Sequence, residues 1–313
     1  MMRSLYSGIS GLRNHQTRMD VIGNNIANVN TTGYKASRVV FQDIFSQTVS
    51  GGTANSGAVG GTNPRQIGLG IMLSSIDVLH TRSAFARTDN ATDMMIDGDG
   101  FFIVQAPPAR PGEDGGYLYT RAGNFSIDND GYLVSSHGYF VMAFPPDNYE
   151  DLETDYGIHF DGPYDGGLYR IRLAMENEDY DGVDDPFDDD YVGPEYLPLT
   201  GIAIGGDGSV SVMIGTRKIT IAQMAVAMFS NPSGLEKAGN SLYRETDPSG
   251  AVLISRPEEN GAGKVVSGGL EMSNVDLATE FTDMIVTQRG FQANSRIITV
   301  SDTMLEELVN LKR

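Results

Sequence analysis

Apolar side chains recur every seventh residue at both ends of this chain: Leu5, Leu12, Met19 and Ile26 near the start, and Leu277, Met284, Phe291, Ile298 and Leu305 near the end. A 3.5-residue repeat keeps one face of a helix turned toward a partner, so each terminus is expected to form an amphipathic helix able to enter a coiled coil. Ile9 and Ile22 widen the first stripe; Phe281, Ile285 and Leu308 widen the second. The first helix is expected to stop between Asn28 and Gly33, where NVNTTG supplies turn formers and a glycine tolerant of positive φ. The second is expected to run from about Asn274 to Leu311, with Ser273 and Asp276 at capping-box spacing marking its start.

Between the helices the texture changes to short β-branched and aromatic runs, among them MMIDGDGFFIVQ, YFVMAF and GSVSVMI, separated by Gly- and Asp-rich turns. The fold class that follows is α+β, mainly β, with terminal helices enclosing an all-β middle. Residues 51–64 are Gly-, Ser-, Thr- and Asn-rich without periodicity and read as a connector. The division expected is 1–35 with 270–313 as a helical domain, 36–80 as an irregular or extended connector, 81–145 with 200–269 as a β domain, and 146–199 as an acidic insertion. Two such helices cannot bury both sides of their stripes on one β body, so self-association is expected.

Charge narrows the partners. The net charge of -19 argues against nucleic acid and against an anionic membrane surface. Residues 147–196 hold seventeen Asp/Glu against two Arg, which is most of the excess, and read as a solvated stretch. The first fifty residues carry +3 and residues 270–313 carry -3, so the terminal helices are expected to attract one another. With no cysteine, disulfides, thiolate chemistry and Cys-ligated metals are excluded. No apolar run approaches the ~18 residues of a membrane span. The start is interrupted by Arg3, Arg13 and Arg18 and does not read as a secretory signal, so an export route without a cleaved peptide is expected.

Chemistry-bearing patterns are sparse. Asn177, Asp179, Asp181, Gly182, Asp185 and Asp188 fall at positions 1, 3, 5, 6, 9 and 12 of an EF-hand-like loop. Position 12 lacks the bidentate Glu and Pro186 interrupts the loop, so a solvated loop is the main reading and calcium the alternative. Asp97 to Gly100 and Asp128 to Gly131 are expected to be hairpin turns. His15, His80, His137 and His159 are scattered, and no H-E-x-x-H, G-x-S-x-G or P-loop is present. No enzyme activity and no cofactor are expected.

Ser4 to Phe45, with NNIANVNTTGYK at Asn24 to Lys35, resembles the N-terminal signature of the bacterial flagellar rod and hook family, and Ser273 to Arg313 resembles its C-terminal counterpart. The motif positions are Asn24, Asn25, Ala27, Asn28, Thr32, Gly33 and Tyr34. The resemblance also covers Gln66 to Phe85, Asp93 to Val104, Tyr119 to Tyr139 and Ala227 to Thr246. It implies a hollow helical homopolymer in which the terminal helices form an inner domain and the β domains, with the acidic insertion, lie outside. Leu5, Ile9, Leu12, Met19, Ile22 and Ile26 would then assemble with Leu277, Phe281, Met284, Phe291, Ile298 and Leu305. The resemblance further implies location in the flagellum, outside the cell, and passage through the flagellar export apparatus. It implies contact with rod protein, hook cap and hook–filament junction proteins. The acidic insertion favours a hook subunit, with a distal rod subunit as the alternative.

Overall fold

The computed structural model describes residues 2–52, 54, 60–107, 116–146, 167–173, 201–214 and 217–311. The calcium candidates Asn177, Asp179, Asp181, Asp185 and Asp188, and most of the acidic stretch, lie outside the described residues. Contacts divide the chain into two units: Met1–Val29, Lys35–Leu79 and Val275–Arg313 in one, Asn30–Tyr34 and His80–Asn274 in the other.

The first unit holds both terminal helices, α1 (Met2–Ala27) and α2 (Leu277–Asn310). Helix α1 ends where the turn-forming residues begin, and Asn28 turns its side-chain amide back onto the Asn24 carbonyl at 2.9 Å. Helix α2 starts later than its sequence suggests. Its cap is Asp276, not Ser273: Asp276 accepts from the Ala278 backbone N–H at 3.0 Å and from the Thr279 hydroxyl at 2.7 Å. A carboxylate at this end satisfies a free backbone N–H and complements the helix dipole, and the bonds from the Thr279 hydroxyl and the Ala278 N–H hold its pKa below the usual carboxylate value.

Within 36–80 the described residues form a two-stranded ribbon. Strand Ser37–Asp43 pairs antiparallel with Ile71–Val78, and Ser46–Ser50 with Arg65–Gly68. The Ile44 N–H to Gly70 carbonyl (3.1 Å) and Leu69 N–H to Phe45 carbonyl (3.0 Å) bonds bridge the two ladders. Helix α1 rests on this ribbon at a glycine: Gly70 has φ +126°, and a Cβ there would fall 2.4 Å from the Ser10 hydroxyl.

The second unit is built on a 13-stranded sheet whose central path runs Ile202–Ile204, Ser209–Ile214, Arg217–Met224, Phe140–Phe144, Phe101–Gln105, Tyr117–Thr120, Leu242–Arg244, Glu236–Gly239. Neighbours along it are antiparallel. Alternate residues of a strand point to opposite faces, and here both faces are covered. Phe102 and Val104 join one core with Phe125, Val141 and Met224, while Phe101 and Ile103 join another with Tyr119, Met142 and Phe229. That is why FFIV reads as an unbroken apolar run and not as an alternation. The short strand Tyr169–Arg170, inside the 146–199 stretch, pairs with Phe140–Phe144, and Leu168, Ile171 and Leu173 beside it are buried.

Of the two expected hairpin turns, Asp128 to Gly131 forms one: strands Phe125–Ile127 and Leu133–Ser135 pair, with Gly131 at φ +81°. Asp97 to Gly100 does not. Strand Met94–Asp97 pairs with Lys264–Ser267, whereas Phe101–Gln105 pairs elsewhere, so these residues carry the chain between sheets. Gly98 permits this because its α-carbon crosses Gly263: a Cβ on Gly98 would lie 2.7 Å from the Gly263 Cα.

Candidate assembly surface

Helices α1 and α2 pack antiparallel, Gly8 lying against Ile298, Gly11 against Asn294, His15 against Gly290, and Arg18 against Asp283. The seam is closed by small and polar residues. A Cβ on Gly11 would sit 2.5 Å from the Asn294 amide nitrogen, and one on Gly290 would sit 2.8 Å from the His15 ring. Thr287 and Ser301, seven apart from Asn294 on either side, are buried, their hydroxyls bonded to the carbonyls of Asp283 and Ile297 one turn back. Close approach of this kind gains dispersion contacts that bulky side chains would prevent. Gly290→Leu is therefore expected to cost about 1–3 kcal/mol by forcing the helices apart. A matching fall in the chemical denaturation midpoint of the helical signal checks it.

The large apolar residues picked out by their spacing flank this seam. Ile22 is buried; Leu5, Leu12, Met19, Ile26, Met284, Ile298 and Leu305 are half-buried; Ile9, Leu277, Phe281 and Phe291 are exposed. Beyond them α2 leaves Ile285, Val286, Ile297, Val300, Met304 and Leu308 uncovered, 44–57% exposed. Sequence reading missed the small residues of the seam. Their signal was the Gly8/Gly11 spacing and the seven-residue repeat of Thr287, Asn294 and Ser301.

Two charge contacts accompany the seam. Arg18 meets Asp283 at 2.9 Å, in line with the opposite charges of the two termini. Asn25, almost fully buried, donates from its amide to Glu280 and to the Ser37 carbonyl, each at 2.9 Å, and accepts from the Ser37 N–H at 3.0 Å. It thus ties α1 to both α2 and the ribbon.

His15 sits against Gly290 of α2 and edge-on to Phe41 of the ribbon at 6.5 Å, with burial first and the Arg18 charge second lowering its pKa. A base whose folded pKa is depressed contributes stability that is fully present above the ordinary value near 6.5 and is lost as pH falls below it. Glu280 acts in the opposite sense, because burial raises its pKa and its penalty is relieved on acidification. Comparing His15→Gln with the parent isolates the histidine: the parent's melting temperature is expected to drop more steeply between pH 7 and 5.

The rest of the NNIANVNTTGYK motif is distributed by position. Asn24 accepts from Asn28, Ala27 closes α1 on its exposed side, and Asn30–Tyr34 belongs to the sheet-bearing unit. There Gly33 (φ +67°) donates to the Glu271 carbonyl at 2.8 Å, and a Cβ on it would meet the Ala122 nitrogen at 2.5 Å. The Tyr34 ring lies 5.0 Å from the Lys237 ammonium, and Thr32 is half-buried beside them in sequence. Below this segment Arg121 and Glu271 form a buried ion pair at 3.5 Å, with Arg121 also donating to the Gly98 carbonyl at 2.8 Å.

No catalytic constellation is assembled among the described residues. His15 belongs to the helix pair, His80 meets Phe101 and Tyr243 edge-on, and His137 lies on the surface beside Tyr139; His159 is outside the described residues. Asp97 is matched by Arg82 and Lys264, and no group of metal-ligating side chains occurs among the described residues.

One unit in which two terminal helices pair through a seam of small and polar residues, and a second unit built on a β sheet, define the class: a helix-ended, mainly β protein. Family models match along the chain: "Flagella basal body rod protein" over 5–35, "Flagellar hook protein FlgE/F/G D1 domain" over 95–212, and "Flagellar basal body rod FlgEFG protein C-terminal" over 266–311. The chain is 45% identical over 315 aligned positions to the flagellar basal-body rod protein FlgG of Bacillus subtilis, covering all of both chains. It is 33% and 30% identical to the flagellar hook proteins FlgE of Borreliella burgdorferi and Treponema pallidum, again covering all of each, over 448 and 471 positions. The chain belongs to the flagellar rod and hook family, structural proteins of the bacterial flagellum.

Proposed function

We propose that this chain is a rod subunit of the flagellar basal body, polymerising with copies of itself through its terminal helices. The observation that carries this reading is length. The Bacillus subtilis rod protein aligns end to end over 315 positions at 45% identity, whereas alignment to the hook proteins takes 448 and 471 positions for a chain of 313 residues. The hook relatives therefore hold long segments that have no counterpart here. Apolar side chains uncovered along α2 supply the driving force for association, at about 25 cal/mol per Å² of apolar surface removed from water. Small-residue packing keeps the α1–α2 pair stiff enough to act as a building block. Leu5, Ile9, Leu12, Met19, Ile22 and Ile26 together with Leu277, Phe281, Met284, Phe291, Ile298 and Leu305 form the assembling region, partly within the subunit and partly between copies. Passage through the flagellar export apparatus and contact with other axial proteins follow from the family resemblance.

A hook subunit is the second reading, favoured by the excess of acid in residues 147–196, where seventeen Asp/Glu face two Arg. Electron microscopy of basal bodies from cells lacking this chain separates the two. A truncated rod is expected; a complete rod that ends without a hook would replace the rod reading with the hook reading.

A further inference from the structure

A groove of about 380 Å³ runs between α1 and the ribbon in the first unit. Tyr6, Ile9 and Arg13 form its α1 wall, and Ile44, Leu69 and Met72 its ribbon wall; no residue of α2 lines it. Its apolar walls face solvent, with Tyr6 67% exposed and Ile9, Ile44, Leu69 and Met72 between 37% and 42%. The two walls are held in register by the Asn14 amide donating to the Ile71 carbonyl at 2.8 Å and by the close approach of Ser10 to Gly70. The groove is thus a built feature and not a gap between loose elements.

At the far end of α2, Met304, Leu308 and the C-cap Leu311 recur at i, i+4 and i+7 with Glu307 beside them, and among the described residues the shallow surface they make is lined by this end of the helix and its cap. They are 46%, 49% and 80% exposed. The helix carries Asp302, Glu306 and Glu307 here and no basic residue between Arg296 and Lys312.

We propose that the groove between α1 and the ribbon receives this C-terminal stripe of α2 from a second copy of the chain. The occupant follows from matched chemistry. An apolar trough with a cation at its edge suits an amphipathic helix whose apolar stripe is bordered by acid and whose C-terminal dipole end is negative. Arg13 and Glu307 form the charge match, while Met304 and Leu308 enter between Ile9 and Met72. Groove and stripe are different surfaces of one chain, so each copy offers one of each and the contact is heterologous, repeating head to tail from copy to copy. A contact of this kind leaves one groove and one stripe open on a pair, so further copies can add. The inference rests on the reading of the chain as a self-assembling subunit and names which surfaces meet.

The absence of cysteine allows a clean test. Full-length Met72→Cys and Leu308→Cys chains are mixed, assembled and treated with a short bis-maleimide. The expected product is a covalent 72–308 dimer, identified by peptide mass and formed only from the mixture. Arg13→Glu is expected to raise the concentration needed for assembly about two- to fivefold, and Arg13→Glu with Glu307→Arg to restore it. Polymers that form without the 72–308 product, or that yield 308–308 links from the Leu308→Cys chain alone, overturn this contact and leave the self-assembly reading standing. Parent chains that form no polymer under any condition overturn both.

Discussion

Ile285→Asp combined with Val300→Asp is expected to abolish assembly while leaving the monomer folded. Both side chains lie on α2 and are more than half exposed in the isolated subunit, at 57% and 54%, so an aspartate there keeps its carboxylate in water. Surface changes of this kind shift stability by about 0.5 kcal/mol or less. In a polymer the same positions lose the apolar burial they would have contributed, roughly 1 kcal/mol each for a half-exposed side chain. A carboxylate pressed against an apolar neighbour adds about 1–3 kcal/mol more at each site. Together these weaken each subunit contact by about a thousandfold or more. Sedimentation should find only monomer with an unchanged melting curve; normal polymers from the doubly substituted chain would show that this face of α2 is not part of the interface.

Glu271→Ala is expected to produce the largest loss of subunit stability, about 3–5 kcal/mol, because it leaves Arg121 buried without its counter-charge. Arg121 is 3% exposed and Glu271 1%, and burial already lowers the arginine's pKa against the opposing pull of Glu271 and Asp99. The Arg121 Nε has no hydrogen-bond partner and its terminal nitrogens donate to the neutral Ile96 and Gly98 carbonyls, so the paired Glu271 carboxylate is what offsets the charge. Arg121→Met together with Glu271→Leu removes both charges and is expected to recover most of the loss. Urea denaturation of the three chains measures this directly, and equal midpoints for Glu271→Ala and the double variant would contradict it.

That ion pair shows where sequence reading stops. Arg121 and Glu271 are 150 positions apart, and neither has a neighbour in sequence that announces a buried charge. Their pairing depends on the strands around them, and with it the seating of Gly33. The glycine was legible as a turn residue, but the backbone of Ala122 that requires it was not. The same holds for Asp97 to Gly100. An Asp-Gly cluster between two apolar runs is a sound hairpin signal, yet the flanking strands take other partners, because Gly98 and Gly263 let two backbones cross.

By itself the sequence determined the helices at both ends, the β character of the middle and the family, since all three are written in local periodicity and contiguous motifs. A seven-residue repeat defines a helical face wherever the helix goes, and short β-branched and aromatic runs between Gly- and Asp-rich turns read as strands. Only the tertiary structure decided which side of each helix meets the other. Large apolar spacing pointed to Leu277, Met284 and Phe291, but the helices close where Gly11 faces Asn294 and Gly290 faces His15, the glycines allowing the nearest approach. Helix contact is governed by the distance two backbones can reach, a property of the pair that neither sequence segment holds alone.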